Sequence, residues 1–104
     1  MNTYLQQHQL ENCKIAVALR AARAAVGWSQ QEFAERMGVA KSTIARIETL
    51  GMAPKGEFVM RAIALFRDVG LEVDVLSNNG IPIKIGPNVI QSALENLVSH
   101  QKTG

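Results

Sequence analysis

Residues 28–48 read WSQQEFAERMGVAKSTIARIE, and this stretch decides how the chain folds. Ser29 can accept hydrogen bonds from the free N–H groups at the start of a helix. Glu32, three residues later, completes a capping box with it. Gly38 can adopt the positive φ that ends a helix. The sequence therefore predicts a short helix that begins just after Ser29 and ends at Gly38.

A second helix follows after only two residues, Val39 and Ala40. We predict it over residues 41–50, with Ile44 and Ile47 facing inward at a spacing of three. Ala40 stands where Ser or Asp would cap the helix, and its poor capping costs about 1 kcal/mol. Two helices joined this tightly, with a glycine in the turn, are typical of a helix-turn-helix.

Further helices are predicted on both sides of this pair. Residues 13–26 are rich in alanine and free of Gly and Pro, and Gly27 then stops the helix. Residues 55–69 form another helix that ends at Gly70. Its predicted inward face consists of Phe58, Ala62, Leu65 and Phe66. The fold class is therefore mostly α, a bundle of four to five short helices.

Beyond residue 70 the apolar period changes from helical to alternating, which predicts a β-hairpin over LEVDV (71–75) and IPIKI (81–85). The loop length decides whether the two apolar faces match. A two-residue loop would place apolar side chains on both faces, so a three-residue loop over 78–80 with Gly80 at positive φ is predicted. This loop pairs Val75 with Ile83 and Val73 with Ile85.

Gly86 and Pro87 open a last, C-terminal helix, since proline fits the first turn of a helix. Its apolar stripe and the apolar face of the hairpin need cover. In so short a chain a second copy is the commoner cover, giving a two-fold dimer. The alternative is a monomer whose tail folds back on its own bundle. The predicted dimer interface consists of Val73, Val75, Ile83, Ile85, Ile90, Leu94 and Leu97.

Charge is distributed unevenly along the chain. Residues 12–67 hold nine Lys or Arg and four acidic residues, a net charge of +5, whereas residues 68–104 hold two Lys and four acidic residues, a net charge of −2. A basic first part and a mildly acidic second part indicate that only the first part meets a polyanion. The alternative is an uneven but ordinary surface.

Several classes of protein are disfavoured by the sequence. The single cysteine, Cys13, allows no intramolecular disulfide and no cysteine-based metal site. The N-terminus lacks the pattern of a secretory signal, and no apolar run is long enough to span a membrane, so we expect a soluble cytoplasmic protein. No Gly-rich phosphate loop, metal-spaced His/Cys cluster or plausible carboxylate pair is present. We therefore expect neither an enzyme nor a bound cofactor or metal.

A set of short motifs in the basic part of the chain carries a family resemblance. These are Leu19-Arg20, Arg23, Gly27-Trp28-Ser29-Gln30, Glu32-Phe33-Ala34, Gly38-Val39, Ser42-Thr43-Ile44 and Ile47-Glu48. Together they resemble the lambda-repressor-like (Cro/repressor, Xre-type) helix-turn-helix regulators over residues 15–69. Residues 70–76, GLEVDVL, also resemble the strand that builds a sheet across the dimer in HipB-type antitoxins. No resemblance covers the last 20 residues.

The resemblance implies roles for individual residues. Direct contacts to DNA bases are expected from Ala40, Lys41, Ser42 and Arg46. Contacts to DNA phosphates are expected from Gln30 and Thr43, while Arg20 is either a phosphate contact or a solvated surface residue. A structural ion pair is expected between Arg23 and Glu48. Alanine in place of a capping residue at position 40 would be explained by a contact between its methyl group and a thymine methyl.

The resemblance implies a dimeric regulator that binds double-stranded DNA at an inverted repeat and represses transcription, including that of its own gene. The alternative is an interaction module, either an antitoxin that binds both its promoter and a toxin protein or a repressor that binds another protein partner. Three segments follow from this interpretation. They are an N-terminal arm or helix extension (1–12), the helix-turn-helix DNA-binding domain (13–70), and the β-hairpin with the C-terminal helix as a dimerisation element (71–104).

Overall fold

The computed structural model describes residues 3–102, and side chains over residues 6–99. In chain order the elements are α1 (Thr3–Val26), α2 (Gln30–Met37), α3 (Lys41–Glu48), α4 (Gly56–Asp68), β1 (Leu71–Val73), β2 (Ile83–Ile85) and α5 (Pro87–Lys102). The predicted fold class, a helical bundle followed by a β-hairpin and a C-terminal helix, is confirmed. The helix predicted from residue 13 begins earlier, because residues 3–12 continue α1.

An aromatic cluster lies at the centre of the bundle. Phe33 of α2 and Phe66 of α4 are fully buried, with ring centroids 5.2 Å apart. Trp28, which precedes α2, stacks on both, at 6.3 Å from Phe33 and 5.4 Å from Phe66. Burying each of these side chains stabilises the fold by about 1.5–3 kcal/mol. The guanidinium of Arg36 lies over the outer face of the Trp28 ring, 4.3 Å from its centroid.

Local chemistry fixes both ends of α2 as predicted. The Ser29 hydroxyl accepts a hydrogen bond from the Glu32 N–H at 3.0 Å, and the Glu32 carboxylate accepts one from the Ser29 N–H at 3.2 Å. At the other end Gly38 has φ 72°, and the Val39 N–H bonds back to the Ala34 carbonyl at 3.0 Å. Three residues, 38–40, therefore join α2 to α3.

The helix α3 ends at Glu48, two residues before the predicted end at residue 50. Leu50 takes φ 66° and is the one non-glycine residue with positive φ in residues 3–102. The N–H of Gly51 bonds to the Arg46 carbonyl at 2.7 Å, and the N–H of Leu50 bonds to the Ile47 carbonyl at 3.3 Å. This is a Schellman-type stop in which a leucine occupies the left-handed position that usually holds glycine.

The buried face of α4 is wider than predicted. Ala62 and Phe66 are buried as expected, but so are Val59 and Ile63, while the predicted Phe58 and Leu65 are only half-buried at the edge of the core. The reason is that both α1 and β1 pack against α4, so a second stripe of α4 is covered.

The register of the hairpin differs from the prediction. Val73 pairs with Ile83, not with Ile85, and β1 ends before Val75. The pairing stops because the Pro82 carbonyl accepts a bond from the Asp74 N–H at 3.0 Å but proline has no N–H to return. A nine-residue connection, 74–82, thus replaces the predicted three-residue loop. The shift is by two residues, so the apolar faces still match.

Two contacts shape the connection between β1 and β2. The Asp74 carboxylate accepts a hydrogen bond from the Leu76 N–H at 2.9 Å, which turns the chain away from the sheet. The ammonium group of Lys14 donates to the Ser77 carbonyl at 3.2 Å and ties the connection to α1. The hairpin is therefore positioned by a residue 63 positions away in sequence.

The helix α5 is anchored mainly through its first turn. Val89 is 7% exposed and belongs to the core, and the Asn88 side chain donates to the Val69 carbonyl at 2.8 Å. The Gly86 N–H bonds to the Gly70 carbonyl at 2.8 Å and brings the two ends of the hairpin together. A side chain at Gly86 would place its Cβ 2.6 Å from that carbonyl oxygen, so the contact requires glycine.

The residues predicted for the dimer interface differ in their burial within the single chain. Val73 is 8% exposed and packs in the chain's own core. Val75 and Ile83 are half-buried against the same core. The other four predicted residues are exposed: Ile85 (46%), Ile90 (60%), Leu94 (52%) and Leu97 (63%).

Over residues 3–102 no helix combines the length and the apolar character needed to cross a membrane.

Candidate nucleic-acid interface

The helix α3 has one buried face and one exposed face. Ile44, Ile47 and Glu48 are buried. The exposed face holds the side chains expected to contact bases, namely Ala40, Lys41, Ser42 and Arg46. Ser42 and Arg46 are four residues apart and so share a side of the helix. The tight turn brings the N-terminal end of this face beside α2.

No side chain caps the N-terminus of α3. Ala40 occupies the N-cap position with φ −73° and ψ 149° and makes no side-chain cap bond. The Thr43 N–H bonds to the Ala40 carbonyl at 3.0 Å, so the first turn of the helix is formed. Thr43 itself is half-buried. Ala40 therefore presents an exposed methyl group at the start of α3, in the place where a capping hydroxyl would otherwise stand.

A buried carboxylate lies behind this surface. Glu48 is 3% exposed, and its two oxygens accept bonds from Arg23 of α1: Nε to Oε2 at 2.8 Å and Nη2 to Oε1 at 3.0 Å. The third Arg23 nitrogen, Nη1, donates to the Trp28 carbonyl at 2.9 Å. The hydrogen bonding of the Arg23 guanidinium to the Glu48 carboxylate raises the pKa of Arg23 above its ordinary value. The pair thus joins the end of α1 to the end of α3.

Gln30, expected to contact a phosphate, is the first residue of α2 and is half-buried. Its amide Nε2 donates to Glu48 Oε1 at 3.2 Å. The carboxylate, which belongs to α3, therefore accepts hydrogen bonds from both α1 and α2. Arg20, for which two interpretations are open, is exposed, and its Nη1 lies 3.5 Å from the Glu48 backbone carbonyl at the end of α3. The positive charge of Arg20 thus lies at the C-terminus of α3, where positive charge is stabilising.

A family model described as helix-turn-helix matches residues 19–73, more than half of the chain. The protein belongs to the helix-turn-helix family. Its type is the lambda-repressor-like or Xre type, a family of DNA-binding regulators of transcription. No curated protein matches the chain. The matched segment ends with β1, so β2 and α5 lie outside it.

Two basic residues next to the helix-turn-helix were missed in the sequence. Lys55 is the N-cap residue of α4, and Arg61 donates from Nη2 to the Met37 carbonyl at 2.7 Å. Both line the same shallow depression as Thr43, beside α3. Both residues lie in the basic segment 12–67, which was the available signal for them. Sequence spacing alone, however, does not show that α4 lies next to α3.

Among the described side chains, residues 6–99, no group of three or more His, Cys, Asp or Glu is arranged to hold a metal ion. The chemistry of the exposed α3 face is instead that of hydrogen-bond donors, positive charge and one methyl group. These groups match the acceptors and methyl groups on the edges of DNA base pairs.

Proposed function

We propose that the protein is a sequence-specific repressor that binds an inverted-repeat operator as a homodimer. The observation that carries this proposal is the exposed face of α3, where Lys41, Ser42 and Arg46 stand free of the core at the end of a tight turn. In the DNA-binding version of this motif the second helix enters the major groove while the first crosses the backbone.

Each residue on the exposed face of α3 would contact a different group in the major groove. The guanidinium of Arg46 suits a two-pronged bond to guanine O6 and N7, and Lys41 suits guanine or a phosphate. The hydroxyl of Ser42 can donate or accept at either kind of base. The methyl group of Ala40 suits contact with a thymine methyl.

Register along the duplex would come from phosphate contacts. The candidates for these contacts are Gln30 at the start of α2, Thr43 on α3, and Arg20 of α1, whose Nη1 lies 3.5 Å from the Glu48 carbonyl at the end of α3. Such contacts position a protein without reading sequence. The net charge of +5 over residues 12–67 supports them, because phosphate neutralisation drives much of the binding.

The homodimer is supported by the apolar surface of α5. Ile90, Leu94, Leu97 and Val98 follow one side of the helix and are 39–63% exposed. A contiguous exposed apolar stripe of this kind marks an interaction surface. Two copies related by a two-fold axis through α5 would present two α3 helices to half-sites about 34 Å apart, one turn of DNA.

A second candidate function is that of an antitoxin, which would also bind a toxin protein. A separate apolar surface favours a protein partner: Met60 is 62% exposed and Leu76 89% exposed, and both line a groove between α4 and the hairpin. This groove does not involve α5. A toxin that co-purifies with the protein, or is encoded beside it, would support this function over simple autoregulation.

The test of the main proposal is selection of binding sites from random duplex DNA at near-physiological salt. We expect an inverted repeat with half-sites about one helical turn apart. On the selected site, Arg46→Ala should lose about 1–3 kcal/mol of binding free energy and relax the preference at one base pair, whereas Gln30→Ala should weaken binding to all sequences alike.

Two outcomes of this selection would count against the proposal. If no sequence is enriched and binding is weak and salt-sensitive, the positive charge binds DNA non-specifically. If Arg46→Ala weakens binding equally on every sequence, Arg46 does not read a base. Affinity is measured against salt concentration in both cases, since the slope reports the number of phosphates neutralised.

A further inference from the structure

Two adjacent glutamines at the start of α2 each donate to a glutamate, but the glutamates differ. Gln31 bonds to Glu35 at 3.0 Å, and Glu35 is an exposed residue one turn further along the same helix. Gln30 bonds to Glu48 at 3.2 Å, and Glu48 is 3% exposed and belongs to α3. Only the second bond joins a surface side chain to the core.

The bond from Gln30 determines which end of its amide group faces inward. An ionised carboxylate only accepts hydrogen bonds, so it selects the NH2 end of the amide. Glu48 itself cannot turn away, because both of its oxygens are held by Arg23. Arg23 is held in turn by the Trp28 carbonyl at 2.9 Å. A chain of bonds therefore runs from the core to Gln30.

From this chain of contacts we infer that Glu48 is a positioning residue for the DNA-phosphate contact of Gln30. The amide has two hydrogens. Glu48 takes one, and the second is left for a phosphate oxygen. An amide free to rotate would also present its carbonyl oxygen, which repels a phosphate. This inference rests on the proposed DNA-binding function and adds a role for a residue that does not touch DNA.

The electrostatics of the cluster are compatible with a phosphate nearby. A lone carboxylate behind Gln30 would repel the phosphate through a medium of low dielectric constant. Arg23 contributes the compensating positive charge at 2.8 Å from Oε2. The pair is thus close to neutral as a unit, and Glu48 can orient Gln30 without opposing the ligand.

The test uses the full chain and its selected duplex, with single phosphates replaced by neutral methylphosphonates. For the wild type we expect one such replacement, at the phosphate that Gln30 contacts, to lower the affinity for the duplex about tenfold. Gln30→Ala should abolish that sensitivity. Glu48→Asp keeps the charge facing Arg23 but is one methylene shorter, so it should abolish the sensitivity as well. The matched control Glu35→Asp should keep it.

A folded Glu48→Asp variant that keeps the full wild-type sensitivity at this phosphate would overturn the inference. If the wild type selects no sequence at all, the proposed function fails instead, and the two failures are thereby distinguished. A second measurement needs no variant: nitrogen-15 relaxation of the side-chain amides in the free wild-type protein. We expect the Gln30 amide to be ordered like the backbone and the Gln31 amide to be mobile. Equal mobility of the two would also overturn the inference.

Discussion

Arg23 at the end of α1 and Glu48 at the end of α3 form a two-pronged ion pair, with nitrogen–oxygen distances of 2.8 and 3.0 Å. The residues are 25 positions apart, and the side chain of Glu48 is 2% exposed. The pair fixes α3 against a helix that lies before the turn motif. The orientation of the candidate reading face therefore depends on a contact that never reaches DNA.

Removing Arg23 should destabilise the fold strongly. Arg23→Met leaves the Glu48 carboxylate buried without its charged partner, and breaking a buried pair in this way costs about 3–5 kcal/mol. Urea unfolding followed by circular dichroism measures the loss. Arg67→Met is the matched control, since Arg67 is an exposed arginine of α4 and a surface substitution changes stability by about 0.5 kcal/mol or less. An unfolding midpoint for Arg23→Met equal to that of the wild type would contradict this prediction.

Replacing Ala40 should separate stability from base preference. Ala40→Ser supplies the missing side-chain cap of α3 and should stabilise the fold by about 1 kcal/mol, while placing a hydroxyl where the methyl group stands. Thermal unfolding and repeated site selection measure the two effects. Ala40→Gly is the companion variant, because glycine is a tolerable cap that carries neither methyl nor hydroxyl. An unchanged base preference in both variants would refute the methyl contact.

The left-handed conformation of Leu50 should cost stability. Leu50→Gly relieves the conformational strain of φ 66°, whereas Leu50→Ala removes the same side chain beyond Cβ but keeps the strain. We therefore expect the glycine variant to be more stable than the alanine variant by about 1 kcal/mol. Chemical denaturation of both variants gives the difference. If the alanine variant is as stable as the glycine variant, residue 50 is not strained in the folded protein.

A charge on the exposed stripe of α5 should separate the proposed dimer. Leu94 is 52% exposed, so Leu94→Asp should fold normally as a monomer, since the negative charge opposes burial at an apolar interface. Sedimentation velocity measures the state of association, and affinity for the two-half-site duplex should fall with it. Leu76→Asp is the control, because Leu76 is 89% exposed on the hairpin connection, away from α5. A Leu94→Asp protein that sediments like the wild type would place the interface elsewhere.

The local geometry of α2 and of the turn that follows could be predicted from the residue types alone. The bonds of Ser29, Glu32 and Gly38 all close within five residues of chain, so the residue types are enough to specify them. Helical period likewise assigned Ile44 and Ile47 to the core and left Lys41 and Arg46 exposed. The composition of the candidate reading face could therefore be predicted without a structure, as could the family to which it belongs.

Tertiary structure decided the features that depend on distant residues. The hairpin ladder ends where Pro82 has no N–H to donate, and Lys14 holds the connection to α1. Val73 is buried because β1 packs on α4. The bond from Gln30 to Glu48 spans 18 residues and exists only because α2 and α3 cross closely. Short-range hydrogen bonds are specified by neighbours in sequence. Arg23 was expected as a partner of the buried Glu48 carboxylate from the family resemblance. Its second partner, Gln30, is instead specified by the packing of three helices, and no local pattern encodes that packing.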